Sequence, residues 1–336
     1  MSDNPAPAAF WHHPLFVLAA ASLIVFTSFG IRQSFGLFML PISMDLGGGR
    51  ESLSLALATQ NLMIGIAAPF AGALAVRWGA PRTVALGGIL FALGIYAMSQ
   101  TKDPALMFAS GGLMVGVGLS ACGLPLILSV ISQAAPPEKR GFWLGVGTAA
   151  ATGGQLLVVP LSHELLAVYD WVAALAMLSV MAGLIVPLAF AMAGAMDRET
   201  GRDTDITLRQ ALREAVGHRG FWLLTVGFYV CGFQVVFIAV HLPAYLSDQG
   251  IGTALSATAL VLIALCNMVG SMTSGWLAGR MPKKYLLSSI YVLRSIVIAA
   301  FVMLPTSAVT VVAFATVIGF LWLSTVPPTT GLVAQV

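Results

Sequence analysis

Charge is scarce in this chain of 336 residues: Asp, Glu, Lys and Arg make up 9% of it, against 58% hydrophobic residues. A water-soluble domain carries roughly 25% charged residues, so a single soluble domain is excluded. Cysteine is scarcer still. Cys122, Cys231 and Cys266 stand singly in apolar stretches, with no CxxC pair, so neither a zinc site nor a disulfide framework is expected. No P-loop, metal-ligand cluster or Ser-His-Asp arrangement is present, which leaves no expected cofactor, no metal and no enzyme chemistry. The net charge of +3 is small and gives no reason to expect a nucleic-acid partner. Carboxylates are missing from the apolar runs: all thirteen acids lie outside them or at their ends. Intramembrane carboxylates are the usual proton carriers of pumps and symporters, so a carrier of another kind is needed if protons are coupled.

What is present is apolar length. A membrane-crossing helix needs about 20 mostly apolar residues, and polar breaks divide the chain into ten such runs. They fall near 14–40, 53–76, 83–100, 105–133, 142–161, 171–194, 220–246, 254–279, 285–304 and 308–334. The fold class is therefore an all-α polytopic membrane protein, because backbone amides in lipid must pair within their own segment. No Lys or Arg precedes the first run, which is also too long for a secretory signal, so it is read as a retained helix.

Of the sixteen Lys and Arg residues, twelve fall in loops on one side and only Arg50 and Lys102 on the other. Cytoplasmic loops hold the basic excess, which places the N-terminus, the central loop and the C-terminus in the cytoplasm and the protein in the inner (plasma) membrane. Segment 195–219 holds ten of the 29 charged residues. Within it Leu208, Ala211, Leu212 and Ala215 recur at helical spacing, as in a helix lying on the membrane surface. The expected domains are a six-helix bundle over 1–194, this linker, and a four-helix bundle over 220–336.

The two bundles repeat each other. Gly72, Leu74, Ala75, Arg77, Gly116 and Pro125 recur 203 positions later as Gly275, Leu277, Ala278, Arg280, Gly319 and Pro328. Parallel repeats of this kind are a transporter plan, with the solute near the membrane midplane. In this register the second half stops at the end of its fourth helix. A complete repeat would reach about residue 397, so ten helices of an expected twelve are present.

The segment Gly72-Ala-Leu-Ala-Val-Arg77-Trp-Gly79-Ala-Pro-Arg82 resembles the loop 2–3 signature of the major facilitator superfamily. The resemblance implies that superfamily's fold of two pseudo-symmetric bundles, and a gating role for Gly72, Arg77, Gly79 and Arg82, with Gly275 and Arg280 in the second half. Val76 and Gly279 stand where the signature has an acid. Gly30-Ile-Arg32-Gln-Ser-Phe-Gly36 and Phe228-Tyr-Val-Cys-Gly-Phe-Gln-Val-Val-Phe237 resemble the monocarboxylate and oxalate/formate branch, in its bacterial form. Members often carry a basic residue in span 1, matched by Arg32, and an Asp/Arg pair in span 8, where this chain has Asn267 and Ser271.

Arg32 lies 9 residues before Pro41, roughly 13 Å below the outer end. It is read either as the anchor of a substrate carboxylate or as a structural arginine on backbone carbonyls. Gln234, 202 positions later, is its mate in the second half. Asn61, Gln155 and Asn267, with Gln60, are further candidates to line a solute site, or else interhelical glue. His241 is a candidate proton carrier, and Arg294 in span 9 is read as structural. Gly116-Val-Gly118-Leu-Ser-Ala121 imitates a dinucleotide fingerprint but lies within a span, where its small residues serve close packing.

These features point to a secondary active transporter of small organic anions, monocarboxylates first, working by alternating access in a lipid bilayer with protons as the candidate coupling ion. Two alternatives stay open: an exporter of a neutral or cationic small molecule, and a truncated, non-transporting membrane sensor.

Overall fold

A computed structural model describes residues 14–46, 51–196, 213–214, 216–251 and 253–333. Most of the expected surface helix around 208–215 and most of the linker lie outside these residues. Every regular element among the described residues is helical. We number the long helices α1 (Pro14–Ser34), α2 (Glu51–Trp78), α3 (Ala80–Gln100), α4 (Pro104–Ala134), α5 (Arg140–Val168), α6 (Trp171–Met192), α7 (Arg219–Asp248), α8 (Thr253–Ala278), α9 (Lys283–Met303) and α10 (Ala308–Val333). Nine of them are long and apolar enough to cross a membrane, and the expected span at 220–246 coincides with α7, 30 residues long.

Two of these helices are interrupted at positions related by the repeat. α4 breaks at Gly123, just before Leu124-Pro125, and α10 breaks over 322–325, just before Pro327-Pro328. Proline lacks an N–H and its ring clashes with the carbonyl four residues back, so each proline stands in the first turn of the helix that resumes after the break. α4 also opens into a π turn over Phe108–Met114.

The chain forms two compact units, one of Met1–Ala134 with Gly153–Arg202, the other of Ala135–Thr152 with Asp203–Val336. α5 thus supplies residues to both, its first half belonging with the later helices. In the first unit glycines bring backbones together. A methyl group on Gly87 or Gly118 would overlap the facing α4 or α3 backbone, one on Gly116 would strike Gln60, and one on Gly154 would strike Phe26. The imitation dinucleotide motif is therefore a packing surface. At one end of this unit Asp45 accepts from Lys102 at 3.0 Å and from Trp171 Nε1 at 3.1 Å. Those two hydrogen bonds, Lys102 first, hold its carboxyl below the usual carboxylate range. Their small contribution to stability is present above the ordinary pKa and is lost as pH falls through the lowered value.

In the second unit α8 packs on α10 and, through Gly275 and Ser271, on Gly141 and Gly145 of α5. Gly141 and Gly275 approach so closely that either Cβ would overlap the other's carbonyl, whereas a Cβ on Gly72 meets open space. Overpacking a close contact costs about 1–3 kcal/mol. Gly141→Val should therefore lower the thermal unfolding temperature of the detergent-solubilised protein by several degrees. Gly72→Ala should leave it unchanged or raise it, because alanine is the better helix former. Equal effects of the two substitutions would contradict the packing described.

Candidate functional site

The polar side chains in the spans are sparse enough to follow one at a time. In the first unit Arg32 sits near the end of α1, just before the helix tightens into a 3-10 turn over Phe35–Phe38. It is half-buried, and its Nη2 donates to Asn61 Oδ1 on α2 at 2.5 Å. Asn61 is fixed in that orientation because its Nδ2 donates to the Leu57 carbonyl of its own helix at 2.8 Å. One of the guanidinium's five donors is used in this way, and no salt bridge joins Arg32 to an acid among the described residues. Gln60, the neighbour of Asn61, is buried toward α4 with its Oε1 unpartnered among the described residues. Gln155 is half-buried on α5 and takes no part in the Arg32–Asn61 pair.

In the second unit Gln234 is half-buried on α7, and its Oε1 likewise lacks a partner among the described residues. His241, two turns on, is exposed, with its ring against Phe237 at 4.7 Å between centroids. His241 and Phe237 line a cavity of about 380 Å³ whose walls include Tyr245, Asp248, Phe301 and Phe314; Gln234 is not part of its lining. Phe301 and Phe314 stack at 4.0 Å, and the Tyr245 hydroxyl lies 3.2 Å from Thr306 Oγ1.

Asn267 has different work. It is buried on α8, where its Nδ2 donates to Thr152 Oγ1 at 2.6 Å and its Oδ1 accepts from the Leu323 N–H at 2.8 Å. Leu323 lies in the break of α10, so the amide pairs a backbone group that the interruption leaves free. Ser274 does the same from two turns along the same face, donating to the Ser324 carbonyl at 2.5 Å. Both ends of the Asn267 amide are thus engaged by the protein.

The signature segment is built as its sequence requires in one respect. Gly79 adopts φ +88° between α2 and α3, a conformation suited to glycine alone, and its carbonyl accepts from Thr83 Oγ1 at 3.1 Å. Arg77 and Arg82 are exposed. In the second half Arg280 lies over the Trp276 ring at 3.7 Å, a cation–π contact. The polar cluster of Cys231, Tyr291, Arg294 and Thr325 inside the second unit was not legible in the sequence. Its signal was the lone Arg294 of span 9, but nothing in the pattern announced that a thiol and a helix break would face it.

A family model described as the Major Facilitator Superfamily matches residues 20–336. Among curated proteins the chain is similar to monocarboxylate transporter 11 of Mus musculus, 27% identical over 321 residues, covering 91% of this chain and 69% of the relative. It is also similar to the uncharacterized MFS-type transporter YcxA of Bacillus subtilis, 24% identical, covering 85% of this chain and 69% of the relative. The chain spans 58% of the length of another relative, monocarboxylate transporter 13 of Rattus norvegicus. Among solved structures the E. coli fucose:proton symporter superposes with a TM-score of 0.69 at 16% identity, covering 94% of this chain and 82% of that one.

The Asn267 geometry makes a stability prediction. In Asn267→Leu the Leu323 N–H and Thr152 hydroxyl lose their partner inside the bundle, which costs about 1–3 kcal/mol. The unfolding temperature in detergent should fall accordingly. Asn267→Asp, which keeps an acceptor for Leu323, should bind that N–H yet lose the donor to Thr152; an unchanged unfolding temperature in both variants would contradict the assignment.

Proposed function

Because the chain belongs to the major facilitator superfamily, a family of multi-pass membrane transporters, we propose that it is a secondary active transporter of small organic anions, monocarboxylates first, by alternating access. The observation that carries this reading is Arg32: a half-buried guanidinium in a membrane helix, held by the neutral Asn61 and not by an acid. An intramembrane arginine is costly unless it meets a polar partner or a ligand, and its planar fork matches a carboxylate. Relatives named monocarboxylate transporters support the same substrate class. Asn61 positions Arg32, while Gln60 and Gln155 of the first unit are proposed to hydrogen-bond the rest of the solute, and Gln234 is proposed as a solute-binding group of the second unit. His241 is the proposed proton carrier, since it is the histidine inside an apolar run and no carboxylate lies within those runs. The basic loops are proposed to face the cytoplasm of the cell whose plasma membrane holds the protein.

The test is uptake of labelled lactate or pyruvate into proteoliposomes with and without an imposed proton gradient. Loss of one partner of a charge-assisted pair costs about 2–5 kcal/mol, so Arg32→Gln should reduce uptake by roughly 30-fold or more. Arg32→Lys, a point charge without the fork, should retain an intermediate rate. Uptake by Arg32→Gln equal to that of the parent overturns the anchor assignment, and no carboxylate uptake by the parent overturns the substrate class.

A further inference from the structure

Arg294 on α9 is the largest of the fully enclosed side chains among the described residues, with none of its surface exposed. Its Nη1 donates to Cys231 Sγ on α7 at 3.3 Å, while Nε and Nη2 have no protein partner among the described residues. Those two nitrogens form one edge of the guanidinium, the edge that takes a carboxylate side-on through two parallel hydrogen bonds. The groups beside it are hydroxyls and a thiol. Cys231 Sγ lies 3.1 Å from Thr325 Oγ1 at the break of α10, and the Tyr291 hydroxyl donates to the Gly227 carbonyl at 2.6 Å. No salt bridge joins Arg294 to an acid among the described residues.

The fold does not require a cation here. In the repeat, 203 positions earlier, the first half has Phe91 in place of Arg294, also fully enclosed, with Gly88 and Cys122 in place of Tyr291 and Thr325. One half thus fills the position with an apolar ring and the other with a charge, which is strongly unfavourable when buried without a counter-charge. An arginine kept only to join helices would spend its free edge on backbone carbonyls, as Ser274 spends its hydroxyl on Ser324.

We propose that Arg294 is the core of an anion-binding site within the second unit. Nε and Nη2 hold a small monovalent anion, the carboxylate head of an organic acid or a halide ion, with the Thr325 hydroxyl as a further donor. The site is separate from Arg32, and its occupancy does not require transport.

The experiment is thermal unfolding of the detergent-solubilised full chain, with sodium lactate or sodium chloride replacing sodium sulfate at constant ionic strength. The unfolding temperature of the parent should rise saturably with at least one anion; lactate alone identifies a carboxylate ligand, chloride alone a halide. In Arg294→Met the rise should vanish, and in the sulfate reference the variant should unfold at a higher temperature than the parent because an uncompensated buried charge is gone. In Thr325→Val, a gentler change, the half-saturating concentration should increase several-fold. The proposal is overturned if no anion stabilises the parent, or if Arg294→Met keeps the parent's rise. It is also overturned if Arg294→Met unfolds below the parent in the sulfate reference while Thr325→Val responds like the parent, since Arg294 is then structural. Failure of carboxylate uptake by the parent sinks the transport reading alone, because the Arg294→Met comparison is still decided by the anion titration.

Discussion

The hydrocarbon interior offers no water to an unpaired backbone group, and that constraint decides where the helices of this protein can be interrupted and what must stand beside each interruption. α10 breaks before Pro327-Pro328, and α8 supplies the missing partners: Asn267 takes the Leu323 N–H and Ser274 takes the Ser324 carbonyl. The other end of the Asn267 amide reaches Thr152 on α5, so one buried side chain fixes three helices in register. Such registration is possible only because Gly141, Gly145 and Gly275 let the α5 and α8 backbones approach without intervening side chains. Glycine packing and backbone repair are two parts of one solution.

The two halves of the repeat share this architecture and differ in chemistry. Both break their fourth helix before a proline, and Gly116 and Gly319 both sit at close backbone contacts. Against that common frame the polar positions diverge. Arg32 answers to Gln234, Phe91 to Arg294, Gly88 to Tyr291 and Cys122 to Thr325. A shared helical scaffold tolerates such exchanges because its stability rests on small-residue contacts and backbone pairing. Each half can therefore carry its own polar group at a position the other fills with carbon.

Much of the fold was legible in the sequence, for physical reasons that apply to some residues and not others. Ten apolar runs are a one-dimensional signal, and so is Gly79, whose place between two helical runs and before Pro81 marks the turn. The assignment of the first half of α5 to the later helices is not such a signal, since it depends on which face meets Gly275 in three dimensions. Asn267 illustrates the same limit. A lone amide in a span reads alike whether it awaits a solute or repairs a helix, and only the position of Leu323 separates the two. Arg32 was legible as a charge in a span, but its partner Asn61 lies on another helix, and their pairing at 2.5 Å is a tertiary fact.

Charge within the ten apolar runs amounts to two arginines and no carboxylate. This imbalance has a consequence that neither residue has alone. A guanidinium in a low-dielectric setting is stabilised by any good acceptor, but acceptors differ in what they leave behind. A carboxylate cancels the charge and ends its attraction for a second anion. An amide oxygen such as that of Asn61 satisfies one N–H and leaves the full positive charge in place. The thiol of Cys231 does the same for Arg294 more weakly, since sulfur is a poor acceptor. Neutral partners therefore hold each arginine in position while keeping its field unspent. Under the proposed function that field is what selects a negatively charged solute, and the absence of acids from the spans is as much a part of the selectivity as the presence of Arg32.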